Sequence, residues 1–101
     1  MDGQDAVASF IREHDLEAPP VYRLVDLVSE VGEVAKDSSE STEYGEVPDA
    51  IDLSADELGD VLFAMFALCE CVGVDADQAL NATLRKYEDR LAELGTAGSG
   101  E

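Results

Sequence analysis

The sequence predicts an all-α protein of four helices, and three observations support this class. Apolar residues recur at three- and four-residue spacing in four segments. Prolines, glycines and polar capping residues separate these segments. No segment has the pattern of a convincing strand. We therefore expect one helical domain over residues 1–94, followed by a disordered tail over residues 95–101.

The first two helices are delimited by prolines. The first is predicted over residues 3–14 and ends at the sequence EAPP. The second is predicted over residues 21–37, directly after a proline pair that suits a helix start. Residues 38–53 contain glycine and proline and are predicted to form a polar loop. The apolar face of the second helix comprises Leu24, Leu27, Val28, Val31, Val34 and Ala35.

The third and fourth helices carry clear capping signals. Ser54 is the predicted N-cap of the third helix, which runs to about Val72 and ends at Gly73. Asp75 is the predicted N-cap of the fourth helix, which ends near Gly95. Both helices should therefore have well-defined starting points.

The chain is strongly acidic. It has 24 acidic residues against six lysines and arginines, which gives a formal net charge of −18. Because there is no basic patch to neutralise phosphates, nucleic-acid binding is not expected. Its 46% hydrophobic content distinguishes it from a disordered acidic tail. The composition favours a protein adapted to high salt, where ions screen self-repulsion; an ordinary acidic protein is the alternative.

The sequence also indicates a cytoplasmic protein. The N-terminus is acidic and has no apolar core of a signal peptide. The longest apolar run, VLFAMFALC, is too short to span a bilayer, so no membrane association is expected. Cys69 and Cys71 are two residues apart on a predicted helix and form no disulfide motif. We expect both thiols to be reduced.

Two short motifs combine acids with a glycine. In SEVGEV, Glu30 and Glu33 stand on either side of Gly32; in ELGDVL, Glu57 and Asp60 flank another glycine. A glycine inside a helix costs about 1 kcal/mol relative to alanine. Carboxylates three residues apart share a helix face and repel each other. On the second helix the acids that fall on one stripe beside the apolar face are Asp26, Glu30, Glu33 and Asp37.

These motifs are compatible with a metal site between two helices. On the third helix, the face that carries Glu57 and Asp60 continues towards the C-terminus through the small residues Ala64, Ala67 and Cys71. These small residues would allow another helix to approach closely. The glycines beside the acids would do the same. Carboxylates at such a contact are costly unless a cation neutralises them, and oxygen-only ligands suit Mg²⁺ or Mn²⁺.

A purely structural interpretation is also open. Acid pairs at the same spacing occur in the predicted loop, where no site is expected. They are Glu40/Glu43, Glu43/Glu46 and Glu46/Asp49. In addition, Ser54 and Glu57 match the S-x-x-E pattern of a capping box.

The combination of motifs resembles a known family. SEVGEVAK followed by DELGDVLFAMFAL, and then by VGVDADQALNATLRKYEDRL, is similar to the MazG-like nucleotide pyrophosphohydrolases of the all-α NTP pyrophosphatase superfamily. The resemblance covers roughly residues 20–92. It implies a four-helix bundle-like subunit that is completed by dimerisation. Ser29 departs from the family pattern, which often has a further acid there.

The resemblance implies hydrolysis of a nucleoside triphosphate between its α and β phosphates. Glu30, Glu33, Glu57 and Asp60 would hold Mg²⁺ or Mn²⁺, and Glu33 is our candidate for activating water. Lys86 and Arg90, with Arg85 as a further possibility, match basic positions of the family and are candidate phosphate contacts. They could equally pair with neighbouring acids on the helix surface.

The third helix further predicts self-association. It is apolar around most of its circumference, and four short helices of one chain cannot bury all of it. We therefore expect a homodimer or higher homo-oligomer joined through this helix.

Two other functions stay open: a phosphoribosyl-ATP pyrophosphohydrolase, and a non-catalytic acidic module that binds cations or a partner protein.

Overall fold

Helices account for nearly all of the regular structure in this protein. The computed structural model describes residues 2–95, so most of the predicted tail lies outside the described residues. These residues form four α-helices and one short 3₁₀ turn, without a strand among them. The all-α class is therefore confirmed. The elements are α1 (Gly3–Glu13), α2 (Pro20–Ser41), the 3₁₀ turn (Pro48–Ala50), α3 (Ala55–Cys71) and α4 (Ala76–Leu94).

The helix termini follow the capping residues of the sequence. Ser54 Oγ accepts a hydrogen bond from the backbone N–H of Glu57 at 3.3 Å, and so caps α3. Asp75 Oδ1 accepts one from the N–H of Gln78 at 3.0 Å, and so caps α4. Gly95 ends α4 with a φ of 74°, a left-handed conformation that glycine adopts without strain. These three predictions are confirmed.

The second helix is longer than the sequence pattern indicates. The prediction that the loop starts at residue 38 is wrong, because α2 continues to Ser41. The serines of this segment do not break a helix, and the left-handed residues begin only at Glu43. Thr42 closes the helix end by donating from Oγ1 to the carbonyl of Ser38 at 2.6 Å. Glu40, predicted in the loop, therefore lies on the helix, and Asp37 lies about one turn before the helix end.

The third helix is the centre of the packed unit, in contact with both α1 and α2. Ala64 and Ala67 on α3 are buried, together with Ala8 and Ile11 of α1 and Leu27 of α2. The small residues of α3 thus allow close approach of its neighbours, as predicted. Phe63 adds an edge-to-face contact with Phe10 of α1, with the ring centroids 5.9 Å apart.

The fourth helix contributes no buried residue. Its start is held to α1, since Gln4 accepts from the N–H of Ala76 at 2.6 Å and donates to the carbonyl of Val74 at 2.8 Å. Beyond that point its leucines stay open; Leu80, for example, is 56% exposed. The radius of gyration is 16.6 Å, whereas a compact domain of this length has a value of about 13 Å. A single chain therefore leaves the bundle open along α4.

The apolar face of α2 is also largely uncovered. Only Leu27 of that face is buried, whereas Leu24, Val28 and Val31 are exposed, Val28 to 64%. On α3, Leu62 and Met65 are exposed as well. Across residues 2–95, no helix combines the length and the apolar character that crossing a membrane requires.

Candidate functional site

The acidic side chains of α2 and α3 lie along the contact between these two antiparallel helices. Glu30 and Asp60 line one cavity of about 340 Å³. Asp37 and Ser54 line another, of about 400 Å³. Glu30 thus lies beside Asp60, and the later residue Asp37 lies beside the earlier residue Ser54. The two helices therefore run in opposite directions. We call the following five residues the acidic seam: Glu30, Glu33, Asp37, Glu57 and Asp60.

Within the seam, Glu57 has the most perturbed environment. Its carboxyl group faces that of Asp37 closely enough for a hydrogen bond between them. This hydrogen bond, partial burial, and the negative charges of Asp37, Glu33 and Asp56 raise the pKa of Glu57 from 4.5 to about 7. Two ionised carboxylates cannot share a hydrogen bond, because neither has a proton to donate. In the absence of a cation, the seam therefore favours a protonated Glu57.

One carboxylate oxygen of Glu57 has no partner. Its Oε2 is enclosed and accepts no hydrogen bond. The capping box expected from the sequence forms through its backbone half, from the N–H of Glu57 to Ser54 Oγ. The carboxylate of Glu57, however, faces Asp37. An enclosed carboxylate oxygen without a donor is costly, and a bound cation would satisfy it.

The chemistry of the seam fits a hard divalent cation. All of its ligand atoms would be carboxylate oxygens, which suit Mg²⁺ or Mn²⁺ and not a thiolate-preferring metal. Among residues 2–95, no three histidine, cysteine or acidic side chains converge into a ready-made ligand set. The acids of the seam therefore lie on facing helical turns, but their side chains do not converge on one position.

The two glycines of the acidic motifs have no close neighbour in the chain. A Cβ atom added to Gly32 or to Gly59 would meet nothing within 4 Å. The prediction that these glycines allow a close helix contact is therefore wrong within one chain. Small residues do allow close packing in α3, but at Ala64 and Ala67, one and two turns further along the helix.

The basic candidates of α4 lie on a helix that contributes no buried residue. The Nζ atom of Lys86 and the guanidinium carbon of Arg90 lie 5.2 Å and 5.9 Å from the ring centroid of Tyr87. Arg90 Nη1 is enclosed and has no hydrogen-bond partner. Lys86 and Arg90 therefore share one face of α4, beside the ring of Tyr87.

Two residues in or beside the seam have contacts that the sequence did not predict. Arg23, three residues before Asp26, is buried and donates a guanidinium N–H to the carbonyl of Leu16. It also lines the cavity of Glu30 and Asp60. Asp37 was placed on the acidic stripe but not among the candidate ligands. Its position one helical turn after Glu33 is the signal that could have included it.

A comparison with protein families gives a match that covers the acidic seam. The MazG nucleotide pyrophosphohydrolase domain matches residues 23–94, which include the whole acidic seam and α4. Comparison with curated proteins and with solved structures gives no match. The family match covers well over half of the chain. The chain therefore belongs to the family of the MazG nucleotide pyrophosphohydrolase domain.

Proposed function

We propose that this protein is a nucleoside triphosphate pyrophosphohydrolase. It would convert a ribo- or deoxynucleoside triphosphate to the monophosphate and pyrophosphate, with a role in cleaning the nucleotide pool. The observation that carries this proposal is the acidic seam: both acidic motifs face each other across the α2–α3 contact, inside the region matched by the family. Free thiols at Cys69 and Cys71 are compatible with work in the cytoplasm.

The proposed cofactor is Mg²⁺, with Mn²⁺ as a substitute. Enzymes of this family use divalent metal ions, and Glu30, Glu33, Glu57 and Asp60 are the residues that would hold one here. When bound, such an ion neutralises phosphate charge and lowers the pKa of water. The enclosed Oε2 of Glu57 supports the assignment, because this oxygen has no other partner.

The remaining chemistry falls to the side chains of the chain itself. Glu33 is exposed, whereas Glu57 is half-buried against Asp37. A carboxylate oxygen of Glu33 could therefore orient the attacking water and accept its proton. Lys86 and Arg90 would bind the phosphates as charge-assisted donors. The position of both cations on one face of α4, beside the ring of Tyr87, supports this role.

We also propose that the active protein is a homodimer or a higher homo-oligomer. The exposed apolar residues of α2, α3 and α4 give a second copy a large surface to cover. Association through α3 would bury Leu62 and Met65, and it would give α4 a surface on which to pack. The four-helix arrangement expected from the sequence would then be completed between chains.

A panel of nucleotides tests the proposed activity. The purified chain in high KCl is given each canonical and several damaged ribo- and deoxynucleoside triphosphates with Mg²⁺, and pyrophosphate release is measured. Phosphoribosyl-ATP is included, so that preference for this substrate would identify the related enzyme instead. We expect turnover that stops when the metal is chelated. Cation binding without turnover of any substrate would contradict the proposal and indicate a binding module.

A further inference from the structure

The acidic stripe of α2 continues past the E-x-x-E motif. Asp37 follows Glu33 by four residues and Glu30 by seven, so all three side chains lie on the same helix face. Asp37 is half-buried, whereas Glu33 is exposed. Because α2 continues to Ser41, Asp37 lies within a regular helical turn and not at the end of the helix. Its position is therefore as well defined as those of the motif residues.

Across the seam, the neighbour of Asp37 is a carboxylate. The side chain of Asp37 lies within hydrogen-bonding reach of Glu57. The Oε2 atom of Glu57 is enclosed and unpartnered. The adjoining cavity of about 400 Å³ lies at the end of the seam away from Asp60 and is lined by Asp37, Glu40, Ser41, Asp52 and Ser54. A cation that satisfies Glu57 from this end would therefore lie beside Asp37.

A purely structural role for Asp37 explains this arrangement less well. An acid near the start of α3 could stabilise that helix by interacting with the positive end of its dipole. However, Ser54 already caps α3, and Asp56 and Glu57 already provide acids in its first turn. A further carboxylate placed directly against Glu57 adds repulsion. The position of Asp37 is therefore costly without a cation and favourable with one.

We propose that Asp37 is a fifth carboxylate of the metal site and binds the divalent cation together with Glu33 and Glu57. This inference rests on the proposed function, because it assumes that the acidic seam is the metal site. It extends the two four-residue motifs by one helical turn. It also gives the site one carboxylate more than the motifs alone provide.

Calorimetric titration of the full-length protein with Mn²⁺ alone, without nucleotide, tests this proposal. We expect Asp37→Asn to weaken Mn²⁺ binding about tenfold or more, because loss of even an indirect metal contact costs roughly 10- to 100-fold in affinity. Asp37→Glu keeps the charge and should restore part of the affinity. Glu43→Gln is the control, since it removes one charge just beyond the end of the same helix, at an exposed position outside this cavity. It should change the affinity less than about twofold.

Two results would overturn the proposal in distinguishable ways. If Asp37→Asn binds Mn²⁺ like the wild type while Glu57→Gln does not, Asp37 is not a ligand but the seam remains the metal site. Equal weakening by Asp37→Asn and Glu43→Gln would also exclude ligation, because it would show only the effect of net charge. If Glu57→Gln and Asp37→Asn both bind normally, the seam assignment of the proposed function fails as well. Thermal melts of each metal-free variant confirm that it is folded.

Discussion

The carboxyl groups of Asp37 and Glu57 face each other across the contact between α2 and α3, within hydrogen-bonding reach. The charged groups that act on Glu57 here are all acidic, and Glu33 adds a further negative charge nearby. A folded protein usually pairs or separates such groups. Here they are kept together, and the behaviour of the protein should depend on protons and cations that neutralise them.

The metal-free protein should lose stability as the pH rises from about 5 to 8. In the folded state the pKa of Glu57 is about 7, above its ordinary value of 4.5. The folded state therefore binds the proton more tightly, and this contribution is complete below pH 4.5 and is lost as the pH rises through 7. Thermal melts in a chelator at constant KCl measure the effect. Glu57→Gln should flatten the slope, and an unchanged slope in that variant would exclude Glu57 as its source.

The four motif acids should each be needed for catalysis. We expect Glu30→Gln, Glu33→Gln, Glu57→Gln and Asp60→Asn to lower kcat/KM by about 100-fold or more, since loss of even outer-shell metal contacts costs roughly 10- to 100-fold. Pyrophosphate release with Mg²⁺ measures the loss. Without metal, these variants should be at least as stable as the wild type, because each removes a repelling charge.

The control for these variants is Glu43→Gln. Glu43 lies beyond the end of α2 and is exposed, whereas Glu40 lies within the helix beside the seam. Turnover by Glu43→Gln should stay within about twofold of the wild type. If this variant loses as much activity as the motif variants, the metal site lies elsewhere.

The apolar face of α3 should mediate self-association. Met65 is 43% exposed in the single chain, so Met65→Glu should yield monomer or aggregate by light scattering. Phe66→Glu is a poorer test, because a Cβ on Gly3 would lie 2.7 Å from the Phe66 ring, which therefore packs directly against α1. Ser39→Glu adds the same charge at a polar, exposed position and should leave assembly unchanged. A stable wild-type monomer would refute the dimer.

The basic face of α4 should bind phosphate and not metal. We expect Lys86→Gln and Arg90→Gln each to raise KM for the nucleotide about tenfold or more, since a hydrogen bond to a charged group contributes about 1.5–3 kcal/mol. Calorimetry should show unchanged Mn²⁺ binding in both variants. Arg12→Gln, on α1, removes the same charge and should have no effect on KM. A matching rise in the Arg12 variant would show that only net charge matters.

Salt should stabilise the fold. With a formal net charge of −18, repulsion should strengthen as KCl falls from about 1 M to 0.1 M, because the screening length grows from about 3 Å to 10 Å. Melting temperatures across a KCl series should therefore decrease on dilution. A flat series, or one that rises on dilution, would contradict adaptation to high salt.

Local signals in the sequence predicted most of the secondary structure. The caps at Ser54 and Asp75 and the glycine end of α4 are confirmed because each depends on a few neighbouring residues. The end of α2 was mispredicted because a serine-rich segment has no strong preference of its own. The Thr42 hydroxyl contact that closes the helix is visible only in the folded chain.

The sequence by itself determined the all-α class, the helix starts, the two acidic motifs and the excess of negative charge, since these follow from composition and from spacing within one helix. Only the tertiary structure decided which acids meet. The register of α2 against α3 places Asp37 against Glu57, and Glu30 in one cavity with Asp60. The tertiary structure also showed that Gly32 and Gly59 face no neighbour and that leucines of α4 are exposed. These features depend on packing between segments distant in the chain, which helical periodicity alone does not specify.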